Sequence, residues 1–544
     1  MADHETDVVV PTHEDPFVRA TSGALGGPVG RHARLGDRRW WLPIRLLVLF
    51  AVIGSTLSWV EKSSCATHGY AHEYQYTRLC YTDVLALWYG EHLDEGRIPI
   101  IQNETPTPNA AGVVSHKYVE YPVGIGALMA AAMFPVRAFV PSGPSPTQQA
   151  AIDKAARDKA LGYDKGTTAQ SDQYAIDQYL ADRATAQYQS RQARYFFDLT
   201  SLYLVICAVF VVVLTGLAAG RRRIWDAAMV GLCPVMVLNG MVNWDLAAVA
   251  LTAGAVVAWA RRRTGLAGVL LGLGVATKFY PVFLLVPYLA LSLRAGRLRS
   301  WLRLLTAGVV TWLVVDVPFM IINPAGFWRF YTFNKERGTE YNSLFYSWEY
   351  FVRHQQPLST GVLNGVSDFL LLMALAAIFV LILLVRRRPR VGQVLFLTAF
   401  AFVITNKVYS PQYALWLLPF VVLARPRWRY FLVWQMSEIV LFVTLYSHLV
   451  FVDKSGTKGI GYAWFFGLGL LPRDLILAGL AGLVIYEMVH PDADVVRAGG
   501  DDDPAGGVLD GAPDALFLPS AADAVAEDEP WGTEVLTPRL AAGP

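Results

Sequence analysis

The sequence predicts an all-α polytopic integral membrane protein with about twelve transmembrane helices, some of them short hairpins. Three observations predict it. Of the 544 residues, 54% are hydrophobic and only 17% charged, whereas soluble domains carry about 25% charged residues. Apolar segments recur along residues 42–490 with few charges inside them. Between those segments lie short basic runs, such as Arg221-Arg222-Arg223, Arg261-Arg262-Arg263 and Arg386-Arg387-Arg388, and runs of this kind mark cytoplasmic loops. In a soluble protein they would suggest nucleic acid; in this context no nucleic-acid partner is expected.

Residues 1–41 are polar and end in RHARLGDRRWW. That lead is too long for an ordinary cleaved signal, so the apolar stretch 42–60 reads as a retained span leaving the cytoplasm. The loop 61–122 then lies outside. It holds Cys65 and Cys80, a pair that permits a disulfide in an oxidising compartment without requiring one. Residues 123–141 look like a further span, but the polar, helix-prone insertion 142–195 and Arg221 cannot then both obey the charge rule. A re-entrant 123–141 is the preferred reading, and an outward-facing Arg221–Arg223 run the alternative.

With every later basic run inside, segments 226–241 and 245–260 bracket an outer turn NGMVNWD (239–245). Segments 264–277 and 281–293 bracket TKFYP (277–281), and 393–406 and 413–424 bracket NKVYSPQY. Span 304–322 leads to an aromatic outer loop, 323–360, from which 361–385 returns. Spans near 430–450 and 470–489 finish inside. The tail 491–544 is acidic and rich in Gly, Pro and Ala, and is expected to be disordered and cytoplasmic. Several of the hairpin segments fall at or below the roughly 17 residues of a minimal span. Short hairpins with polar tips suit the walls of an outward-facing cavity, where irregular backbone is tolerated.

The candidate chemistry sits on those outer turns. Asp83 opens a helix-like stretch with Val84, Leu87 and Trp88 on one face. A carboxylate in a first helical turn is stabilised by free N–H groups, so Asp83 reads either as a helix cap or as a general base at the membrane surface. Glu91, His92, Asp94 and Glu95 match no strong metal-ligand spacing; they read as a solvated helix end, and no metal site is assigned. Asn243 and Asp245 flank Trp244 as an interfacial turn or as part of a site. Lys278 has no acidic neighbour in sequence. It either snorkels to the interface or holds the phosphate of a lipid-borne substrate. Lys407, with Tyr409, Ser410 and Gln412, admits the same two readings.

In the 323–360 loop, Phe327, Trp328, Phe330 and Tyr331 fit an interfacial helix, a sugar-stacking surface or a lid. Arg329, Lys335, Arg337 and His354 are secondary candidates for phosphate or sugar contacts. The chain has no glycine-rich phosphate loop, Walker pattern or zinc spacing, so soluble-nucleotide chemistry is unsupported and no cofactor is expected.

The order of these motifs resembles the family 87 glycosyltransferases, actinobacterial membrane enzymes of the GT-C class. The landmarks are Asp83 in the first outer loop, YPVG with Tyr121 and Pro122, TKFYP with Lys278, Tyr280 and Pro281, and KVYSPQY with Lys407 to Tyr413. NWD, with Asn243 and Asp245, is a weaker one. The resemblance implies a GT-C-type fold and a hexosyltransferase that uses a polyprenyl-phosphate sugar, with an aspartate base on the outer side and inversion at the sugar. Carried over, Asp83 takes the acceptor proton. Lys278 and Lys407 bind the donor phosphate, with Asn243, Asp245, Tyr280, Tyr409, Ser410, Gln412 and Tyr413 completing the phosphate and sugar site.

Departures from the family are Val123, where a second proline is frequent, the long 142–195 insertion, and the Cys65/Cys80 loop. They bear on sugar and acceptor identity. The resulting expectation is a multi-pass plasma-membrane enzyme with an extracytoplasmic site and cytoplasmic termini. It would transfer mannose to a glycolipid or cell-envelope glycan. An arabinofuranosyltransferase using polyprenyl-phosphate arabinose is the alternative sugar reading. A lipid-linked sugar transporter or flippase is the rival from another class; internal repeats are usual in such proteins and none is seen in this sequence.

Overall fold

A computed structural model describes residues 43–68, 74–102, 119–140, 168–353, 356–455 and 463–514, with a few isolated positions besides. Residues 1–15, His354 and 515–544 lie outside that description. Among the described residues the regular structure is helical and no strand occurs. Six helices are long and apolar enough to cross a membrane: Pro43–Ala66, Arg191–Ala219, Leu298–Ile322, Thr360–Leu384, Trp428–Val450 and Phe466–Val489. Six shorter apolar helices accompany them: Val123–Phe139, Asp245–Ala260, Thr264–Thr277, Tyr280–Arg294, Val391–Thr405 and Pro411–Ala424. Together they form the polytopic helical architecture that the hydropathy pattern predicts.

The short helices end where the motifs begin. Thr264–Thr277 stops because Lys278 takes extended backbone (φ −146°, ψ 145°). Pro281 then lies in the first turn of the 3-10 segment Tyr280–Leu284, where its missing N–H costs nothing. Val391–Thr405 stops at extended Asn406, and Pro411 opens the next turn. Every residue of Ala414–Ala424 is buried, as expected of a helix that is apolar all round. The long helix Leu298–Ile322 instead exposes an apolar face, with Val314 at 68% and Ile321 at 75%. Short hairpins therefore form an inner shell, and longer helices present apolar surface outward.

Glycines set the closest approach. A Cβ on Gly268 would collide with the Leu304 carbonyl, and one on Gly272 with the Gly308 carbonyl. These small residues let Thr264–Thr277 and Leu298–Ile322 pack backbone to backbone. Helix Val123–Phe139 is held at both ends near the motif-bearing turns. A Cβ on Gly124 would meet Thr277, and Arg137 donates to the Asp94 carbonyl.

The tail expected to be disordered from residue 491 is instead folded as far as residue 514. Arg390 pairs with Asp494 at 2.7 Å, Arg387 with Asp502 at 2.8 Å, and Arg294 with Asp514 at 2.9 Å. The Val391 N–H donates to Asp503, and Trp259 Nε1 donates to the Gly506 carbonyl at 2.9 Å. Val495, Val496 and Leu509 are buried beneath these contacts. Helix ends crowd arginines together here, and the tail's aspartates neutralise them. Arg223 joins the same end, paired with Asp226 and donating to the Val495 carbonyl.

Candidate active site

At the end remote from that tail, the inner hairpin tips and the 324–343 segment enclose a cavity of about 910 Å³. The residues that build its floor are positioned by a loop-on-turn contact. The N–H of Asp83 donates to the Val242 carbonyl at 2.8 Å, and Thr82 Oγ1 donates to the Met241 carbonyl at 2.7 Å. A Cys65–Cys80 disulfide fastens the same loop to the end of the first long helix. The loop carrying Asp83 is thus bolted to the turn carrying Asn243.

Asp83 is not the helix cap. Thr82 has the cap conformation, and its hydroxyl accepts from the Val84 N–H at 3.3 Å. That leaves the Asp83 carboxylate free to face the cavity. Oδ1 accepts from the Tyr81 hydroxyl at 2.7 Å. Oδ2 accepts from Asn243 Nδ2 at 2.6 Å and from the Tyr121 hydroxyl at 3.2 Å. Asn243 also donates to the Tyr121 oxygen at 2.9 Å, while its own Oδ1 accepts from the Trp244 N–H at 2.5 Å. The amide orientation is fixed by that backbone donor, and the carboxylate by three side chains. Burial, then the charges of Asp83 and Asp245, hold the Tyr121 phenol well above its usual pKa, so it stays a proton donor to Asp83.

Lys278 lies across the cavity floor from this cluster, its ammonium 4.9 Å from the Tyr121 ring centre. It does have an acidic partner: Asp245 Oδ1 is 3.5 Å away. The same oxygen accepts from Trp416 Nε1 at 2.8 Å. Asp245 is fully buried and does not line the cavity. Trp416 stacks on Tyr280 at 4.4 Å and on Tyr413 at 3.8 Å between ring centres, and all three rings line the cavity. Flat aromatic walls beside a cation are suited to a sugar face next to an anionic group.

Lys407, Ser410 and Gln412 line the opposite wall. The Lys407 ammonium donates to the Arg337 carbonyl at 2.7 Å and lies 3.5 Å from that of Lys335. Arg337 caps helix Pro324–Glu336, so Lys407 secures the C-terminal end of that helix, where a cation is favoured. Burial and the Arg337 charge lower the Lys407 pKa, with Asp368 opposing. An ammonium offers three donors, two of them occupied by these carbonyls.

Eight of the ten residues singled out from the sequence line the cavity: Asp83, Asn243, Lys278, Tyr280, Lys407, Ser410, Gln412 and Tyr413. Asp245 and Tyr409 do not. Tyr409 is buried on the far side of its loop, with the Arg473 guanidinium 3.8 Å from its ring centre. Sequence reasoning passed over Tyr81, Glu340 and Asp368, which also line the cavity. Tyr81 stands two residues before Asp83, which was signal enough to include it. Glu340, paired with Arg337, sits in a loop of mixed charges and gave no such signal. Among the described residues, no three His, Cys, Asp or Glu side chains converge as a metal site.

A shell of apolar helices around an open, aromatic-walled cavity that carries charged side chains fits a polytopic membrane protein with a site at one end of its helices. Residues 185–411 match the model of Glycosyltransferase family 87. The stretch bearing NWD, TKFYP and KVYSP is thus similar to family 87 glycosyltransferases, and that similarity supports a membrane glycosyltransferase as the class. The matched residues include Asn243, Lys278 and Lys407, while Asp83, Gln412 and Tyr413 lie beyond them. A search of curated proteins found no match.

Proposed function

We propose that the protein transfers a sugar, mannose in the first instance, from a polyprenyl-phosphate donor to a hydroxyl of a glycolipid or cell-envelope glycan. The observation that carries this reading is the Asp83 carboxylate, aimed into the cavity by Tyr81, Tyr121 and Asn243 opposite the Lys278 ammonium. Among the described residues, Oδ2 accepts two hydrogen bonds and Oδ1 one. A carboxylate oxygen has two good acceptor directions, so Oδ1 keeps one for an incoming hydroxyl.

In the reaction, Asp83 takes the acceptor O–H proton as the acceptor oxygen bonds to the anomeric carbon. The bond from that carbon to the phosphate oxygen breaks, and its electron pair leaves with the phosphate. Attack opposite the leaving group inverts the configuration. Lys278, Lys407 and Arg337 supply fixed positive charge for the departing phosphate, and charge developing in the transition state is where such groups contribute most. The Tyr280, Tyr413 and Trp416 rings support the sugar.

Two features support an extracytoplasmic site. The Cys65–Cys80 disulfide is next to Asp83, and disulfides persist in oxidising compartments. The arginine-rich helix ends and the folded tail lie at the other end, as expected for the cytoplasmic side.

The test uses purified protein in nanodiscs with polyprenyl-phosphate-mannose labelled in the sugar and a membrane glycolipid extract. Wild type should move label into the extract, and Asp83→Asn should not. Equal transfer by both would remove Asp83 from its role. No transfer by wild type with mannose or arabinose donors would overturn the reading.

A further inference from the structure

Arg473 is a charge in the N-terminal third of the last long helix, Phe466–Val489, outside the family match and with no part in the reaction described above. Its side chain is fully buried. A charge at membrane depth is costly and is kept where it has partners and a role. Its closest partner is Asp474, 2.7 Å away.

Two further contacts lead from Arg473 to the cavity. Nη2 donates to the Asn342 carbonyl at 2.9 Å, and Asn342 lines the cavity. The guanidinium carbon also lies over the Tyr409 ring, 3.8 Å from its centre. Tyr409 lies between Val408 and Ser410, both cavity-lining, and its ring stacks towards Tyr413 at 6.3 Å. One guanidinium thus grips two walls of the cavity from behind: the 339–343 segment and the 406–413 loop. The Lys407 carbonyl completes the clasp by accepting from the Glu340 N–H at 3.0 Å.

We propose that Arg473 is a positioning residue, which sets the spacing between the 339–343 and 406–413 walls and so the fit of the lipid-linked donor. The kinetic part of this proposal rests on the transferase reading; the structural part does not. Lysine retains the charge that faces Asp474 but lacks the planar fork and stacking face, so Arg473→Lys separates positioning from charge balance. Tyr409→Phe keeps the ring face, and Tyr409→Leu removes it while staying apolar.

The experiment measures donor KM and kcat, thermal unfolding, and backbone hydrogen exchange in the same preparations. Arg473→Lys and Tyr409→Leu should raise the donor KM by up to about thirtyfold, the scale of a desolvated cation–π contact, with little change in kcat. Tyr409→Phe should match wild type. In Arg473→Lys, exchange should rise in both 339–343 and 406–413.

Loss of donor binding in Tyr409→Phe would overturn the proposal, which requires the ring face and not the hydroxyl. An unchanged donor KM in Arg473→Lys and Tyr409→Leu would also overturn it, as would a lower unfolding temperature with KM intact, the mark of a helix-packing cluster. The exchange result decides independently of turnover. If wild type transfers nothing, unchanged exchange in both segments still overturns the proposal, and a rise confined to them sustains it.

Discussion

Asn243 donates to Oδ2 of Asp83 at 2.6 Å from a nitrogen that also reaches the Tyr121 oxygen at 2.9 Å. Its own carbonyl is pinned by the Trp244 N–H. The amide therefore cannot turn without leaving a backbone donor unpaired, and it acts as a fixed bracket for the carboxylate. Hydrogen bonds to charged groups contribute roughly 1.5–3 kcal/mol, and misplacing a base from its proton weakens general-base catalysis. Asn243→Ala should lower kcat by about tenfold or more with the donor KM nearly unchanged. Steady-state kinetics at saturating donor check this; a pure KM effect would place Asn243 in donor binding instead.

The Lys278–Asp245 pair makes a different prediction. Removing one partner of a buried pair leaves an uncompensated charge, at a cost of roughly 3–5 kcal/mol. Asp245→Asn alone should therefore reduce thermal stability. In Asp245→Asn with Lys278→Gln, stability should return while transfer is lost, because of the two only Lys278 faces the cavity. Thermal unfolding and transfer, measured side by side on the single and double variants, check both halves.

Breaking the Cys65–Cys80 bond should loosen the segment that ends at Asp83. Its sequence separation is 15 residues, and closing a loop of that length stabilises by about 3 kcal/mol in the chain-entropy account. Reductant, or Cys65→Ser with Cys80→Ser, should lower the unfolding temperature and the transfer rate together. Reductant should have no further effect on the double variant.

The folded tail carries a pH signature. Burial pushes the Asp503 carboxyl up from its ordinary 3.8 to about 7, against the Val391 hydrogen bond and the charges of Arg390, Arg388 and Arg497. A raised acid binds more protons in the docked state, so docking is strongest below pH 4 and weakens as pH rises towards 7. Asp494 runs the other way. Burial opposes its ionisation, but Arg390 and neighbouring hydrogen bonds outweigh burial and hold its carboxyl below the usual range. Its contribution is therefore lost only on stronger acidification. Limited proteolysis of the tail should show increasing cleavage between pH 5 and 7 in wild type and a flatter response in Asp503→Asn.

The apolar helices and their polar tips were legible because hydropathy and charge runs are local properties of the sequence. TKFYP and KVYSPQY announced themselves as charges and prolines inside apolar runs. Asp83 was legible as the start of a helix, but the role of Thr82 as its cap depends on a one-residue difference that spacing does not resolve. Lys278 looked unpaired because its acid, Asp245, comes from the preceding hairpin and meets it only in the folded chain. Lys407 looked like Lys278, yet its ammonium is turned to the carbonyls of the 324–337 helix end. The tail read as disordered because its composition is acidic and small-residued. Its order comes from arginines on four other helix ends, which no window of sequence contains.

The most direct test follows the chemical fate of the sugar. Wild-type protein is reconstituted into liposomes with polyprenyl-phosphate-mannose labelled in the sugar and a glycolipid acceptor, and the bond and anomeric configuration at the labelled carbon are determined. The account predicts label in a glycosidic bond to the acceptor, inverted relative to the donor and absent with Asp83→Asn. Label that crosses the bilayer still joined to polyprenyl phosphate, equally in both proteins and with no glycoside formed, would contradict it and identify a carrier instead.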